Sequence, residues 1–254
     1  MISYKGADEN FSLENKKAVV TGGAAGIGNT VANFLARKGV TVSIIDQNPE
    51  TPEIAKKING SALGLCANLC NEDEAITAME TAVQHMGGLD ILVNCAGIVI
   101  LEPAETLSLD GWKATLDVNL TGSFLMAKSA AKYMIAQQSG AIVNIASQAG
   151  LIALDKHVAY AASKGGIIAM TKVLAYEWAK YGIRVNAVSP TIVMTELGHK
   201  AWDGPHGDAM KQLIPAGRFA EPDEIAACIA FLCSNAAGMV TGENLVIDGG
   251  YTIQ

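Results

Sequence analysis

Tyr160 and Lys164 are the two side chains of this sequence whose types and spacing best suit proton transfer. They stand four residues apart in a strongly helical pattern, so they share one helix face. A phenol with an unperturbed pKa of about 10 is a poor base at neutral pH. A neighbouring ammonium stabilises the phenolate and lowers that pKa. The pair can then take a proton from an alcohol as a hydride leaves it, or return one when a carbonyl is reduced. Tyr-x-x-x-Lys alone is common, and its bland reading is a surface pair. Ser147 changes the weighting. It follows the apolar run Ala141-Ile142-Val143-Asn144-Ile145-Ala146, a strand candidate, and so falls at a carboxyl sheet edge, where α/β folds bind ligands. A hydroxyl there can orient a substrate oxygen, although it could equally cap a turn. Asn119 is a polar residue inside an apolar helical run. It is either a satisfied buried amide or the anchor of a water that relays protons to Lys164.

A second constellation suits phosphate. Lys17-Ala18-Val19-Val20-Thr21 runs directly into Gly22-Gly23-Ala24-Ala25-Gly26-Ile27-Gly28. Strand, glycine turn and helix start follow one another. Glycine permits positive φ and close backbone approach to a pyrophosphate, and a helix N-terminus offers free N–H groups and partial positive charge. A lone glycine turn is weak evidence, but here Asp46 ends the next strand candidate, 18 residues after Gly28. A carboxylate there accepts hydrogen bonds from adenosine ribose hydroxyls and repels a 2′-phosphate. Gln47 and Ala25 supply no compensating cation. The expected cofactor is therefore NAD rather than NADP. The positive nicotinamide ring would further lower the Tyr160 pKa. Asn94-Cys95-Ala96-Gly97 ends the fourth strand candidate, where Gly97 lets the chain pass close to a cofactor.

These groups need a scaffold. The strand candidates are Lys17–Thr21, Thr41–Asp46, Ala62–Cys66, Ile91–Asn94, Ala141–Ala146, Arg184–Ser189 and Asn244–Ile247. Most are continuously apolar, as in parallel strands covered on both faces. The helix candidates are Gly26–Lys38, Pro52–Asn59, Asn71–Met86, Leu109–Gln137, Val158–Tyr181 and Pro222–Cys233. Asn71 and Pro222 lead acidic first turns that suit helix N-termini. The alternation predicts one α/β domain over 15–254, a Rossmann-like, doubly wound parallel sheet of about seven strands with helices on both faces. Residues 1–14 read as an irregular polar extension. Residues 195–213, with Gly198, Gly204, Pro205 and Gly207, break the alternation and read as a mobile lid over the site.

Thr21-Gly22-x-x-x-Gly26-x-Gly28, Asn94-x-Ala96-Gly97, Asn119, Ser147, Tyr160-x-x-x-Lys164, Asn186 and Pro190 with Thr195, in this order, resemble the motifs of the short-chain dehydrogenase/reductase family over roughly residues 12–254. The resemblance implies a catalytic set of Asn119, Ser147, Tyr160 and Lys164. It also implies that Lys164 meets the nicotinamide ribose and that Ile192 and Thr195 meet the carboxamide. Cofactor contacts are expected at Gly22, Gly26, Ile27, Gly28, Asp46, Asn68, Leu69, Asn94, Ala96, Gly97, Tyr160, Lys164, Pro190, Ile192 and Thr195. Three positions depart from the family pattern: Cys95 and Thr191 replace its Asn and Gly, and Asn68 stands for its adenine-contacting Asp. Family members are usually tetramers, so a homo-oligomer is expected.

For substrate, Ser147, Gln148, Leu154, His157 and Tyr160 are the candidate contacts, with Leu151, Ile152, Met194, Leu197 and Trp202 nearby. The C-terminal half is similar to bacterial polyol and diol dehydrogenases, which implies a small alcohol or ketone carrying a neighbouring hydroxyl. A 3-oxoacyl thioester reductase is the first alternative; Asp46 and the acidic balance argue against its NADPH and its acyl carrier. A non-catalytic NAD-sensing protein is the second; it would tolerate loss of Tyr160 or Lys164. A net charge of −7 disfavours nucleic acid. No run approaches the roughly 20 apolar residues of a membrane helix. The N-terminus has no apolar signal core, so the cytoplasm is expected. Five cysteines without CxxC spacing and four histidines without ligand spacing predict no metal site, and the cysteines read as buried small residues.

Overall fold

The computed structural model describes residues 7–253. In chain order the elements are α1 (Ala7–Phe11), β1 (Lys17–Thr21), α2 (Gly26–Arg37), β2 (Thr41–Asp46), α3 (Thr51–Ile58), β3 (Leu63–Cys66), α4 (Glu72–Met86), β4 (Ile91–Asn94), α5 (Leu109–Leu116), α6 (Gly122–Gln137), β5 (Gly140–Ile145), α7 (Val158–Trp178), β6 (Ile183–Pro190), α8 (Glu196–Trp202), α9 (Pro205–Gln212), α10 (Pro222–Cys233) and β7 (Asn244–Ile247). The seven strands form one sheet in the order β3-β2-β1-β4-β5-β6-β7, and every pair is parallel. Sequence order reverses between β1 and β4. That reversal opens a crevice at the carboxyl ends of the strands, where doubly wound sheets bind ligands.

Alternate strand residues feed two apolar layers, because successive side chains point to opposite faces. On one face Val20, Ile44 and Val93 pack with Val31 and Leu35 of α2 and with Ile225 and Ile229 of α10. On the other, Val19, Ile45 and Leu92 pack with Met79 of α4, Met126 of α6 and Leu174 of α7. Burying each such side chain stabilises the fold by ~1.5–3 kcal/mol. Two-sided burial explains why the strands read as continuous apolar runs. Among the described residues, no helix is long and apolar enough to cross a membrane.

Four local expectations change. Part of the expected irregular extension is helical: α1 places Phe11 against Phe231, with ring centroids 6.0 Å apart; residues 1–6 lie outside the described residues. The helix expected over 109–137 is interrupted by a π-helical turn, Asp117–Thr121, between α5 and α6. The helix expected to reach Tyr181 tightens to a 3₁₀ turn at Ala179–Tyr181. Of the five cysteines only Cys233 is buried; Cys66 is exposed, the others are partly exposed, and all five are free thiols. Asn71 caps α4 as expected, its side chain accepting from the N–H groups of Asp73 and Glu74.

The glycine turn is held by close approach. A Cβ at Gly28 would lie 2.2 Å from the Gly22 carbonyl oxygen, and one at Gly22 would lie 2.8 Å from the Ala96 backbone. At Gly60 nothing lies within 4 Å. Gly28→Ala is therefore expected to lower the unfolding temperature by several degrees. Gly60→Ala should leave it unchanged or raise it, through loss of unfolded-state freedom worth ~0.4–1 kcal/mol. Thermal unfolding of the two variants checks the contrast.

Candidate active site

The nucleotide end of the crevice is built from backbone. Gly22 and Gly26 adopt left-handed φ values of 64° and 56°. Ala25 precedes α2 without a side-chain cap, so the first N–H groups of this helix face the turn unserved by a side chain. The Thr21 hydroxyl accepts hydrogen bonds from the N–H groups of Cys95 and Ala96 at 3.1 and 3.2 Å, joining the ends of β1 and β4. The Asp46 carboxylate accepts from Ala24 N at 3.1 Å and from Asn48 N at 3.1 Å. It is thus fixed beside the glycine turn. This cradle, with space that a Cβ would fill, suits a dinucleotide pyrophosphate with a ribose against Asp46.

Asn68 and Leu69 follow β3 at the same edge. Asn68 donates its backbone N–H to Glu74 Oε2, and its side-chain oxygen accepts from Cys70 N at 3.0 Å. That oxygen is partly occupied by its own turn. The Asn94 side chain is buried; its amide donates to Ser123 O and Asn144 Oδ1. Only the backbone of Asn94 could meet a cofactor. Thr195 caps α8 by accepting from Gly198 N, and its Cγ2 lies 3.9 Å from the place of a Gly26 Cβ. The start of the expected lid therefore faces the glycine turn. Pro190 ends β6, and Ile192 O accepts from Ala220 N, which ties this segment to the far side of the lid.

The chemical end lies at the carboxyl end of β5. Tyr160 and Lys164 share one face of α7, with Lys164 Nζ 5.5 Å from the Tyr160 ring centroid. The Ser147 side chain faces the Tyr160 phenol closely enough to favour its phenolate, while Ser147 Oγ accepts from Ala149 N at 3.1 Å. In the protein alone, the phenol pKa is not lowered as the lysine suggested. Burial pushes it above its ordinary value, and the Ser147 side chain pulls it part of the way back. Lys164 is only 4% exposed and donates to Ile145 O at 2.6 Å. Burial holds its pKa down at about 8, partly offset by Cys95. Burial pushes the Cys95 thiol up to about 12, with Lys164 opposing.

Asn119 lies in the π turn and is fully buried. Its amide donates to Ile98 O and Ser163 Oγ and accepts from Ile98 N. Every side-chain proton is committed, so the expected water anchor could only be its backbone. Gln148 is buried beside Ser147, and its side-chain oxygen has no partner among the described residues. His157 Nδ1 lies 2.5 Å from Asp155 O, and its ring meets Tyr160 edge-on at 6.0 Å. Leu154 is partly buried in the same loop, where its carbonyl accepts from His157 N. Trp202 turns into the lid, stacked on His206 at 4.8 Å and edge-on to Phe219. Reading residues singly missed Thr21 and Ser163; a polar residue ending a buried strand, and one directly before the helical lysine, were the available signals.

A parallel sheet with a glycine cradle at its switch point, and a Ser–Tyr–Lys group at the same edge, defines a nucleotide-dependent oxidoreductase of the doubly wound class. The chain belongs to the short-chain dehydrogenase/reductase family. A family model of that kind, described as Enoyl-(Acyl carrier protein) reductase, matches residues 22–252. The D-threitol dehydrogenase of Mycolicibacterium smegmatis is 51% identical over 251 residues, 97% of this chain and 96% of that protein. The NAD-dependent glycerol dehydrogenase of Listeria innocua is 50% identical over 254 residues, all of both chains. A solved gluconate 5-dehydrogenase from Burkholderia cenocepacia, in complex with NADP and tartrate, superposes with a TM-score of 0.91 at 34% identity, covering 97% of this chain and 98% of the other.

The depressed lysine pKa has a thermodynamic consequence. Unfolded, the amine titrates at its model value of 10.5; folded, at about 8. Between those values the unfolded chain binds more protons, so this group makes stability rise with pH. Below pH 8 its burial costs the fold ~3 kcal/mol. Lys164→Met is expected to unfold about 5 °C higher than the parent at pH 7, with the difference shrinking towards pH 10.5. Melting curves across that range check it.

Proposed function

We propose that this protein is an NAD-dependent dehydrogenase of small polyols or vicinal diols, with Tyr160 as the acid/base for a secondary alcohol. The observation that carries the reading is the Ser147–Tyr160 hydroxyl pair with Lys164 beneath it, at the edge that also carries the glycine cradle. A nicotinamide dinucleotide bound there would supply the hydride acceptor for oxidation and the hydride donor for reduction. Gly22, Gly26, Ile27 and Gly28 hold its pyrophosphate, and Asn68 and Leu69 flank the adenine. The backbones of Asn94, Ala96 and Gly97 line its path. Pro190, Ile192 and Thr195 meet the carboxamide.

Ser147 orients the substrate hydroxyl. Tyr160 takes its proton as the C–H bond breaks, leaving a ketone and one released proton. Lys164 stabilises the phenolate and reaches the nicotinamide ribose, while Asn119 holds the wall beside it. Because burial keeps the phenol protonated above its usual value, oxidation is expected to accelerate as pH rises on the alkaline side.

Asp46 supports NAD: its carboxylate is fixed beside the glycine turn, where it would repel a 2′-phosphate, and Gln47 beside it carries no positive charge. The Listeria relative is NAD-dependent by name, whereas the Burkholderia structure holds NADP, so the cofactor is a point for experiment. Polyol specificity is supported by two acceptors beside the pair. The Gln148 oxygen has no partner among the described residues. His157 faces a carbonyl with Nδ1, which assigns the proton to Nδ1 and leaves Nε2 as an acceptor. Acceptors suit the extra hydroxyls of a polyol better than a carboxylate or a thioester. Phe124, Val173 and Tyr176, exposed on α6 and α7, support a homo-oligomer.

Diols, polyols and a 3-oxoacyl thioester, each assayed with NAD(H) and NADP(H), test the substrate. Turnover of a polyol with NAD is expected. Reduction of the thioester alone would transfer the assignment to acyl chemistry, and dinucleotide binding without any turnover would favour a sensor. Tyr160→Phe should keep NAD binding and lose at least 1,000-fold in kcat, in the range of a lost acid/base group at about 10²–10⁴. Asp46→Ala combined with Gln47→Arg should shift the kcat/KM ratio towards NADP by at least tenfold; an unchanged ratio would remove the ribose role of Asp46.

A further inference from the structure

We infer that Ser163 is a positioning residue: it fixes the Asn119 amide and, through it, holds the Gly97–Ile98 segment against Lys164. The inference rests on the proposed roles of Tyr160 and Lys164. Ser163 is fully buried in α7. Its one hydroxyl proton is donated to Tyr160 O, one turn back, at 2.7 Å. Its lone pairs therefore face Asn119, whose Nδ2 donates to Ser163 Oγ at 3.0 Å. This polarity admits a single orientation of the amide. The other Nδ2 proton goes to Ile98 O at 2.9 Å, and Asn119 Oδ1 accepts from Ile98 N at 2.8 Å. The N–H and C=O of Ile98 are thus clamped by one side chain, whose orientation Ser163 reinforces.

The clamp lies beside the ammonium. A Cβ at Gly97 would sit 3.2 Å from Asn119 Oδ1 and 3.6 Å from Lys164 Nζ. The π turn at Asp117–Thr121 belongs to the same device, because Asn119 sits at its centre. Without an acceptor at Ser163, one Asn119 proton would be buried and unpaired. The amide would then have reason to turn away and release Ile98.

Two readouts separate positioning from simple packing. Hydrogen-exchange mass spectrometry reads the amides of residues 95–101 and of the α7 interior. In Ser163→Ala, exchange at 95–101 is expected to accelerate at least tenfold, with residues 166–175 within twofold of the parent. Steady-state kinetics with NAD and the preferred polyol should show kcat down about tenfold and the polyol KM within twofold. On an Asn119→Ala background, Ser163→Ala should add less than twofold, since residues acting through one contact are not additive. Ser163→Thr, which keeps the hydroxyl, should restore both readouts to within threefold of the parent. Should Ser163→Ala not fold, Ser163→Cys, a much weaker acceptor, carries the same comparison. Unchanged exchange at 95–101 overturns the inference, as does multiplication of the two single losses in the double variant. Normal turnover by Tyr160→Phe would instead sink the proposed function; an inactive Tyr160→Phe with a protected Ile98 in Ser163→Ala would sink the inference alone.

Discussion

A buried ammonium is the constraint around which this structure is arranged. Lys164 is almost out of contact with water and donates to the Ile145 carbonyl, at the carboxyl end of β5. Burying a charge without a counter-charge is unfavourable, and the pKa of about 8 expresses that. The position persists because α7 is held on the sheet by an apolar face that includes Ile167 and Leu174. Packing far from the chemistry thus supplies the free energy that keeps the amine beneath Tyr160. Burial also raises the phenol pKa of Tyr160, and the Ser147 side chain opposes that rise.

The polar side chains around Lys164 form a continuous buried chain rather than isolated pairs. Asn144 Nδ2 donates to Thr171 Oγ1 on α7, and its oxygen accepts from Asn94. Asn94 also donates to Ser123 O, and Ser123 Oγ donates to Asn119 O in the π turn. These bonds stitch α6, α7, β4 and β5 together beneath the site. In a low-dielectric interior each of them is stronger than in water, and each partner lost is correspondingly costly. The π turn Asp117–Thr121 carries Asn119 at its centre, where its side chain meets both Ile98 and Ser163.

Much of this was legible in the residues. Two-sided apolar runs such as Ile91–Val93 declared a covered parallel strand, and the Gly22–Gly28 turn between β1 and α2 declared the nucleotide edge. Tyr160, Lys164 and Ser147 could be placed at one sheet edge once their elements had an order. Other features were not legible because they depend on distance rather than type. The π turn leaves no mark in periodicity, since Leu116 to Leu120 fits an ordinary amphipathic helix. Trp202 read as a pocket wall, yet its ring packs on His206 and on Phe219, ahead of α10. Phenol acidity was misjudged for a related reason: charge proximity can be read from spacing, but desolvation depends on the whole fold. The thiols show the same limit, since Cys66 at the exposed end of β3 and the buried Cys233 at the end of α10 look alike in sequence.

The two ends of the crevice recognise by different means, and that difference bears on how such a fold changes substrate. The nucleotide end is mostly backbone: N–H groups at a helix start, glycines that admit no Cβ, and one carboxylate pinned by two amides. A substitution there must respect close contacts such as the 2.2 Å approach at Gly28. The end around Tyr160 is mostly side chain, carried on the 3₁₀ turn Gln148–Gly150 and the loop before α7. Those residues can change without disturbing the sheet. Thr195 bridges the ends, capping the first lid helix while lying against the Gly26 turn. The segment that Thr195 opens carries short helices, seven and eight residues long. Helices of that length draw their stability from what they pack on rather than from their own turns. The packing of Trp202 on His206 and Phe219 is therefore what orders this segment.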